Sequence, residues 1–227
     1  MTLKPWREVV KPHDDVISGK ARMADFAADL TLVVNGKAPP QYQNPALFYQ
    51  CTYITEGTRL LLLNVARRIS GKGGDPVIRL QTGFGGGKTH SMLAVYHMVR
   101  GEVPAGSLFG LGQILAAEGL AKLPACSTAV IDGNKSGPNE PWNVRLETGE
   151  TLSAKTLWGF LAASLGGAEG YEMVRASDDS GTSPGKDVLV RLLEKFSPCV
   201  ILIDELVAYV RQLKEDEALL GGTYGAN

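Results

Sequence analysis

The stretch Leu80-Gln81-Thr82-Gly83-Phe84-Gly85-Gly86-Gly87-Lys88-Thr89-His90-Ser91 governs how the rest of the chain is read. Before it, Val77, Ile78 and Leu80 give residues 76–81 the apolar content of a short strand. After it, apolar residues recur at helical spacing from Lys88 to Arg100. Strand, glycine loop and helix, in that order, form a phosphate cradle. Glycines admit positive φ and let backbone N–H groups close on phosphate oxygens where a Cβ would obstruct them. The helix start adds unpaired N–H groups and the positive end of a dipole. In such a loop Lys88 reaches the β and γ phosphates of a nucleoside triphosphate and the Thr89 hydroxyl ligates Mg²⁺. Gly83, Phe84, Gly85, Gly86, Gly87 and His90 complete the predicted nucleotide-contacting set. In the general GxxxxGKS or GxxxxGKT pattern the first glycine falls on Thr82, and here it stands one residue later, at Gly83. His90 lies in the first helical turn within reach of nucleotide, although a surface position without a chemical role is the commoner fate of such a residue.

A second stretch, Val200-Ile201-Leu202-Ile203-Asp204-Glu205, ends four apolar residues on two adjacent carboxylates. An all-apolar strand suits the centre of a parallel sheet whose two faces are covered by helices. Its carboxyl end lies at the edge where open α/β sheets bind ligands. There Asp204 is predicted to hold Mg²⁺ and Glu205 to accept a proton from the attacking water. Acids in the first turn of a following helix would give the same pattern without chemistry; the glycine loop upstream favours the catalytic assignment. The adjacent acids point to an additional-strand ATPase and away from a P-loop kinase.

The spacing elsewhere predicts helices over 22–34, 54–69, 111–121 and 188–196, a helix through Leu157, Phe160, Leu161 and Leu165 closed by Gly166 and Gly167, and a strand over 127–131. Pro39, Pro40 and Pro45 make 37–44 an extended linker, 132–153 an irregular loop or a small hairpin around Val144 and Leu146, and 177–185 a polar loop. Asp178 and Asp179 read as solvated charges, Trp158 and Tyr171 as core or interface aromatics. Arg67, Arg68 and Lys72 are explained by a helix C-terminus, and His13 and His97 have no ligand-spaced partner. The expected organisation is a helical region over 1–72 and an α/β ATPase core over 73–227.

With 23 Lys plus Arg against 24 Asp plus Glu, the net charge of −1 supplies no global basic field for DNA or a membrane surface. Hydrophobic residues make up 44% of 227, enough for a sizeable core. No run approaches the ~18 apolar residues of a membrane span, no signal peptide opens the chain, and Cys51, Cys126 and Cys199 form no CxxC pair. A reduced, cytoplasmic setting is expected.

These motifs, together with Leu3-Lys4-Pro5-Trp6, Thr52-Tyr53-Ile54-Thr55-Glu56-Gly57 and Thr156-Leu157-Trp158-Gly159, resemble the AAA-type P-loop ATPases of the domain-of-unknown-function 499 family, found beside DNA methylases in anti-phage islands. The resemblance makes the displaced glycine a family trait. It implies ATP and Mg²⁺ as ligands, DNA methylase or other defence proteins as partners, and a role as an ATP-driven switch or motor in a DNA-directed complex; DNA contact and a homo-oligomer are compatible with it, but the charge balance does not support DNA contact. A nucleotide-sensing scaffold with little turnover is the alternative. Family members are longer than this chain, and an additional-strand sheet takes a strand between those of 76–81 and 200–203 from sequence beyond Glu205. The expected fold is therefore an additional-strand P-loop domain incomplete at its C-terminus, with sensor residues and any arginine finger beyond Asn227.

Overall fold

The computed structural model describes residues 4–12, 14–19, 27–81, 83, 85–146, 148–215, 217 and 219–226. In chain order these form α1 (Trp6–Val9), α2 (Asp14–Ile17), α3 (Leu30–Val34), α4 (Pro40–Gln43), α5 (Pro45–Cys51), α6 (Glu56–Ile69), α7 (Lys88–Arg100), α8 (Leu111–Ala117), β1 (Ser127–Asp132), β2 (Trp142–Arg145), β3 (Thr151–Ala154), α9 (Leu157–Glu172), α10 (Arg175–Ser180), α11 (Lys186–Lys195), β4 (Cys199–Asp204) and α12 (Leu206–Val210). Strands β1 and β4 pair in parallel, Ser127 opposite Cys199 and Asp132 opposite Asp204, while β2 and β3 form an antiparallel hairpin. The result is a mixed α/β fold built around a small parallel sheet.

Side-chain alternation along β1 and β4 sorts the core into two layers. Val130, Val200 and Leu202 face a cluster built from α3 to α8, in which Leu30, Phe48, Tyr49, Leu62, Leu93 and Met98 are almost fully buried. Ala129, Ile131 and Ile201 face the opposite way, onto α9, the hairpin and α12. Helix α7 lies at the centre of the first layer, and all eight residues from Met92 to Val99 are buried. A helix apolar on every side must be enclosed, and hydrogen bonds to α4 and α5 tie it in place. His97 Nε2 lies 2.8 Å from the Tyr42 carbonyl, and the Tyr49 hydroxyl donates to the Ala94 carbonyl at 2.7 Å. Residues before and after 72 thus share one core.

Several local expectations are corrected. Residues 27–29 are not helical; α3 begins at Leu30 because Asp29 caps it, its side chain accepting from Leu32 N at 2.9 Å. The earlier part of that predicted helix, 22–26, lies outside the described residues. The proline-rich 37–44 is no linker. Pro40 and Pro45 stand at the first positions of α4 and α5, where a missing N–H costs nothing. The helix through Leu165 does close where expected: Gly166 and Gly167 are non-helical (Gly167 φ 58°, ψ −142°) and divide α9 into two helical pieces at a kink; the supposed polar loop, by contrast, contains α10.

The largest correction concerns 76–81. These residues carry strand composition but form no ladder: Val77 is 73% exposed, and β4 pairs among the described residues with β1 alone. Strand propensity reflects a fit to neighbouring strands, so without a partner the segment stays irregular. The outer edge of β4 is open, and Ile203 beside it is 44% exposed. An open edge next to an exposed aliphatic side chain is a template for association. Light scattering of the purified chain is expected to show concentration-dependent association that Ile203→Lys reduces; a mass unchanged across concentrations would refute this.

Candidate functional site

A hydrogen bond joins the end of the glycine loop to β4. Thr89 Oγ1 donates to Asp204 Oδ2 at 2.7 Å across 115 positions of sequence. Helix α7 starts where the spacing placed it, at Lys88, directly after Gly87 in the left-handed region (φ 74°). Gly85 shares that conformation (φ 75°), and the Gly86 amide closes a turn by donating to the Gly83 carbonyl at 3.0 Å. A Cβ built on Gly83, Gly85 or Gly87 would meet only open space. Gly85 and Gly87 are therefore required by backbone conformation and not by neighbouring protein, as suits a loop that closes on an external group. Lys88 is half-buried and has no ion-pair partner among the described residues, which leaves its ammonium for an incoming anion. Thr82 and Phe84 lie outside the described residues.

Asp204 ends β4 on the face covered by α7, since it shares parity with Val200 and Leu202. Glu205, the next residue, is exposed and adopts φ 48°, ψ 35°, the left-handed region that L-residues with a Cβ avoid. Its backbone is held there by β1's exit. The Gly133 amide donates to the Asp204 carbonyl at 2.9 Å, and a Cβ on Gly133 would collide with the Glu205 carbonyl oxygen. Strand β4 thus turns sharply and delivers the Glu205 carboxylate to solvent at the sheet edge.

His90 does not point at the loop. Its ring packs against Phe48 with centroids 4.7 Å apart, and its Nε2 is 3.0 Å from Thr52 Oγ1. The Thr52 hydroxyl spends its one proton on the Phe48 carbonyl at 2.6 Å, so it accepts from His90, which fixes the Nε2–H tautomer. Burial lowers the imidazole's pKa and keeps it neutral. The His90 side chain thereby fastens α7 to the segment after α5.

The profile of the DUF499 N-terminal domain matches residues 1–225. The chain belongs to this family. No curated protein and no solved structure matches it. In this DUF499 N-terminal domain two residues beside the site went unread in the sequence. Asp132 ends β1 in register with Asp204 on the same face, its carboxylate accepting from Thr31 Oγ1 at 2.8 Å and from the Asn134 amide at 3.0 Å. Thr31 on α3 thus does for Asp132 what Thr89 on α7 does for Asp204. The signal was present: 127–132 and 199–204 both run through aliphatic residues into Ile-Asp. An ion pair between Lys135 and Asp29 at 3.1 Å further clasps α3 to the turn after β1.

Proposed function

We propose that this domain binds ATP with Mg²⁺ and hydrolyses it, as a P-loop ATPase of the additional-strand type. The hydrogen bond from Thr89 to Asp204 carries this reading, because it joins the two motifs that a phosphate-transfer site needs and that the sequence keeps far apart. The donor set fits the metal: Thr89 Oγ1 and Asp204 Oδ2 are hard oxygens already converged on one point, as Mg²⁺ prefers. When bound there, the ion supplies charge neutralisation to the β and γ phosphates. The protein's own contribution is positional. The amides of Gly85, Gly86 and Gly87 and the start of α7 receive phosphate oxygens, Lys88 neutralises charge, and Glu205 takes a proton from water at the exposed strand end. A motor or switch role in a DNA-directed defence complex rests on the family resemblance.

Replacing the one unpaired cation of the loop tests the assignment. Lys88→Ala is expected to weaken ATP binding by roughly 10- to 150-fold, the loss of about 1.5–3 kcal/mol for hydrogen bonds to a charged group. Calorimetry with Mg²⁺ reads it directly. A folded variant with the parent's affinity would reject the phosphate-loop assignment.

A further inference from the structure

Asp132 ends β1 in register with Asp204 and on the same face of the sheet, so the two residues stand one strand spacing apart, about 4.8 Å. Among the described residues no Lys or Arg forms an ion pair with either carboxylate. Lys135, three residues on from Asp132, is engaged by Asp29 at 3.1 Å. Two like charges held side by side without a partner favour a cation beside them. The glycine loop with its free Lys88, and not the acids themselves, marks this as the ligand end of the sheet, and Thr89 and Asp204 already converge there.

The tethers of Asp132 define what it can do. Oδ2 accepts from Thr31 Oγ1 at 2.8 Å and Oδ1 from the Asn134 amide at 3.0 Å, which fixes the carboxylate and leaves each oxygen a second lone pair. The side chain also borders a cavity of about 230 Å³ shared with Thr31, Asn35, Glu140 and Trp142, room enough for several waters. Mg²⁺ at a nucleotide site keeps several of its own waters, and neighbouring carboxylates orient such waters and strengthen metal binding. Resting on the Mg²⁺-nucleotide reading above, we infer that Asp132 is a positioning residue of the metal site, its carboxylate accepting hydrogen bonds from water on the ion that Thr89 and Asp204 hold. Thr31 and Asn134 hold it in place for that role.

Asp132→Asn separates this role from a purely structural one. It removes the charge but keeps both tethers, since Oδ1 still accepts from the Asn134 amide and the amide nitrogen in place of Oδ2 donates to Thr31 Oγ1. Calorimetry measures ATP affinity over a series of Mg²⁺ concentrations and in EDTA, on the parent chain, Asp132→Asn and Thr31→Val. Loss of an outer-shell partner predicts that the Mg²⁺ concentration giving half of the metal-dependent ATP binding rises roughly 10- to 100-fold in Asp132→Asn. Its metal-free ATP affinity and its unfolding temperature are expected to match the parent's. Thr31→Val, which releases α3 and keeps the carboxylate, is expected to move the Mg²⁺ midpoint far less. An unchanged midpoint in Asp132→Asn overturns the assignment. So does an equal shift in Thr31→Val, which traces the effect to α3, or a loss of metal-free binding in Asp132→Asn. Each of these leaves the site of Thr89 and Asp204 standing, whereas a parent chain whose ATP binding is indifferent to Mg²⁺ overturns both readings.

Discussion

Glu205→Gln is expected to cut ATP turnover by roughly 10²- to 10⁴-fold, the range for loss of a general base, while ATP binding persists. The amide keeps the shape of the carboxylate but cannot accept the proton of the attacking water. Geometry makes the residue a suitable base: it is exposed, follows Asp204 directly, and sits in a left-handed backbone conformation that a side chain adopts only under constraint. The constraint comes from Gly133, whose lack of a Cβ lets β1's exit pass against the Glu205 carbonyl. Gly133→Ala is accordingly expected to lower turnover as well, by displacing the Glu205 backbone. The measurement is steady-state phosphate release by the full-length protein, paired with equilibrium nucleotide binding. Turnover by Glu205→Gln equal to the parent's would remove this residue from the mechanism, and a parallel loss of binding would make it structural.

The second large effect lies away from the site. Asp178→Ala is expected to destabilise the fold by about 3 kcal/mol or more, since each buried donor left unsatisfied costs about 1–3 kcal/mol. Asp178 is fully buried on α10, contrary to its expected place in a solvated loop. Its carboxylate accepts from the Lys155 amide at 3.0 Å, the Thr156 amide at 2.8 Å, Thr156 Oγ1 at 2.7 Å and the Tyr171 hydroxyl at 2.8 Å. Burial, and then the bond to Asp178, push the Tyr171 hydroxyl up to about 12, so it remains a donor. Thr156 in turn caps α9, its Oγ1 accepting from the Gly159 amide at 3.1 Å. One carboxylate therefore ties the end of the hairpin, the start of α9 and α10 together. Gly159 is part of the same lock, since a Cβ there would strike the Asp178 carboxylate. Urea unfolding is expected to show a lower midpoint at unchanged slope for Asp178→Ala, and a smaller loss for Asp178→Asn, which keeps an acceptor. A midpoint equal to the parent's would show that water satisfies those donors.

Much of the architecture is written locally. The start of α7 at Lys88, the run of β4 into Asp204 and the span of α6 to Ile69 coincide with patterns of period and punctuation that any neighbours would have to respect. The same locality accounts for the glycine loop: left-handed φ at Gly85 and Gly87 is a property that glycine alone supplies cheaply. What depended on distant sequence was decided only in the tertiary structure. Residues 76–81 have the composition of a strand, but a strand exists through its ladder, and no described strand pairs with them. His90 has the same spacing whether it faces nucleotide or protein, and packing against Phe48 and Thr52 settled its direction. Asp178 looked solvated because polarity was judged without its donors, which come from 22 to 23 positions upstream and from Tyr171. Asp132 became Asp204's neighbour through strand register. Periodicity tells which residues share a face; what covers that face is set by elements far away in the chain, whose hydrogen bonds and packing appear only once the chain is folded.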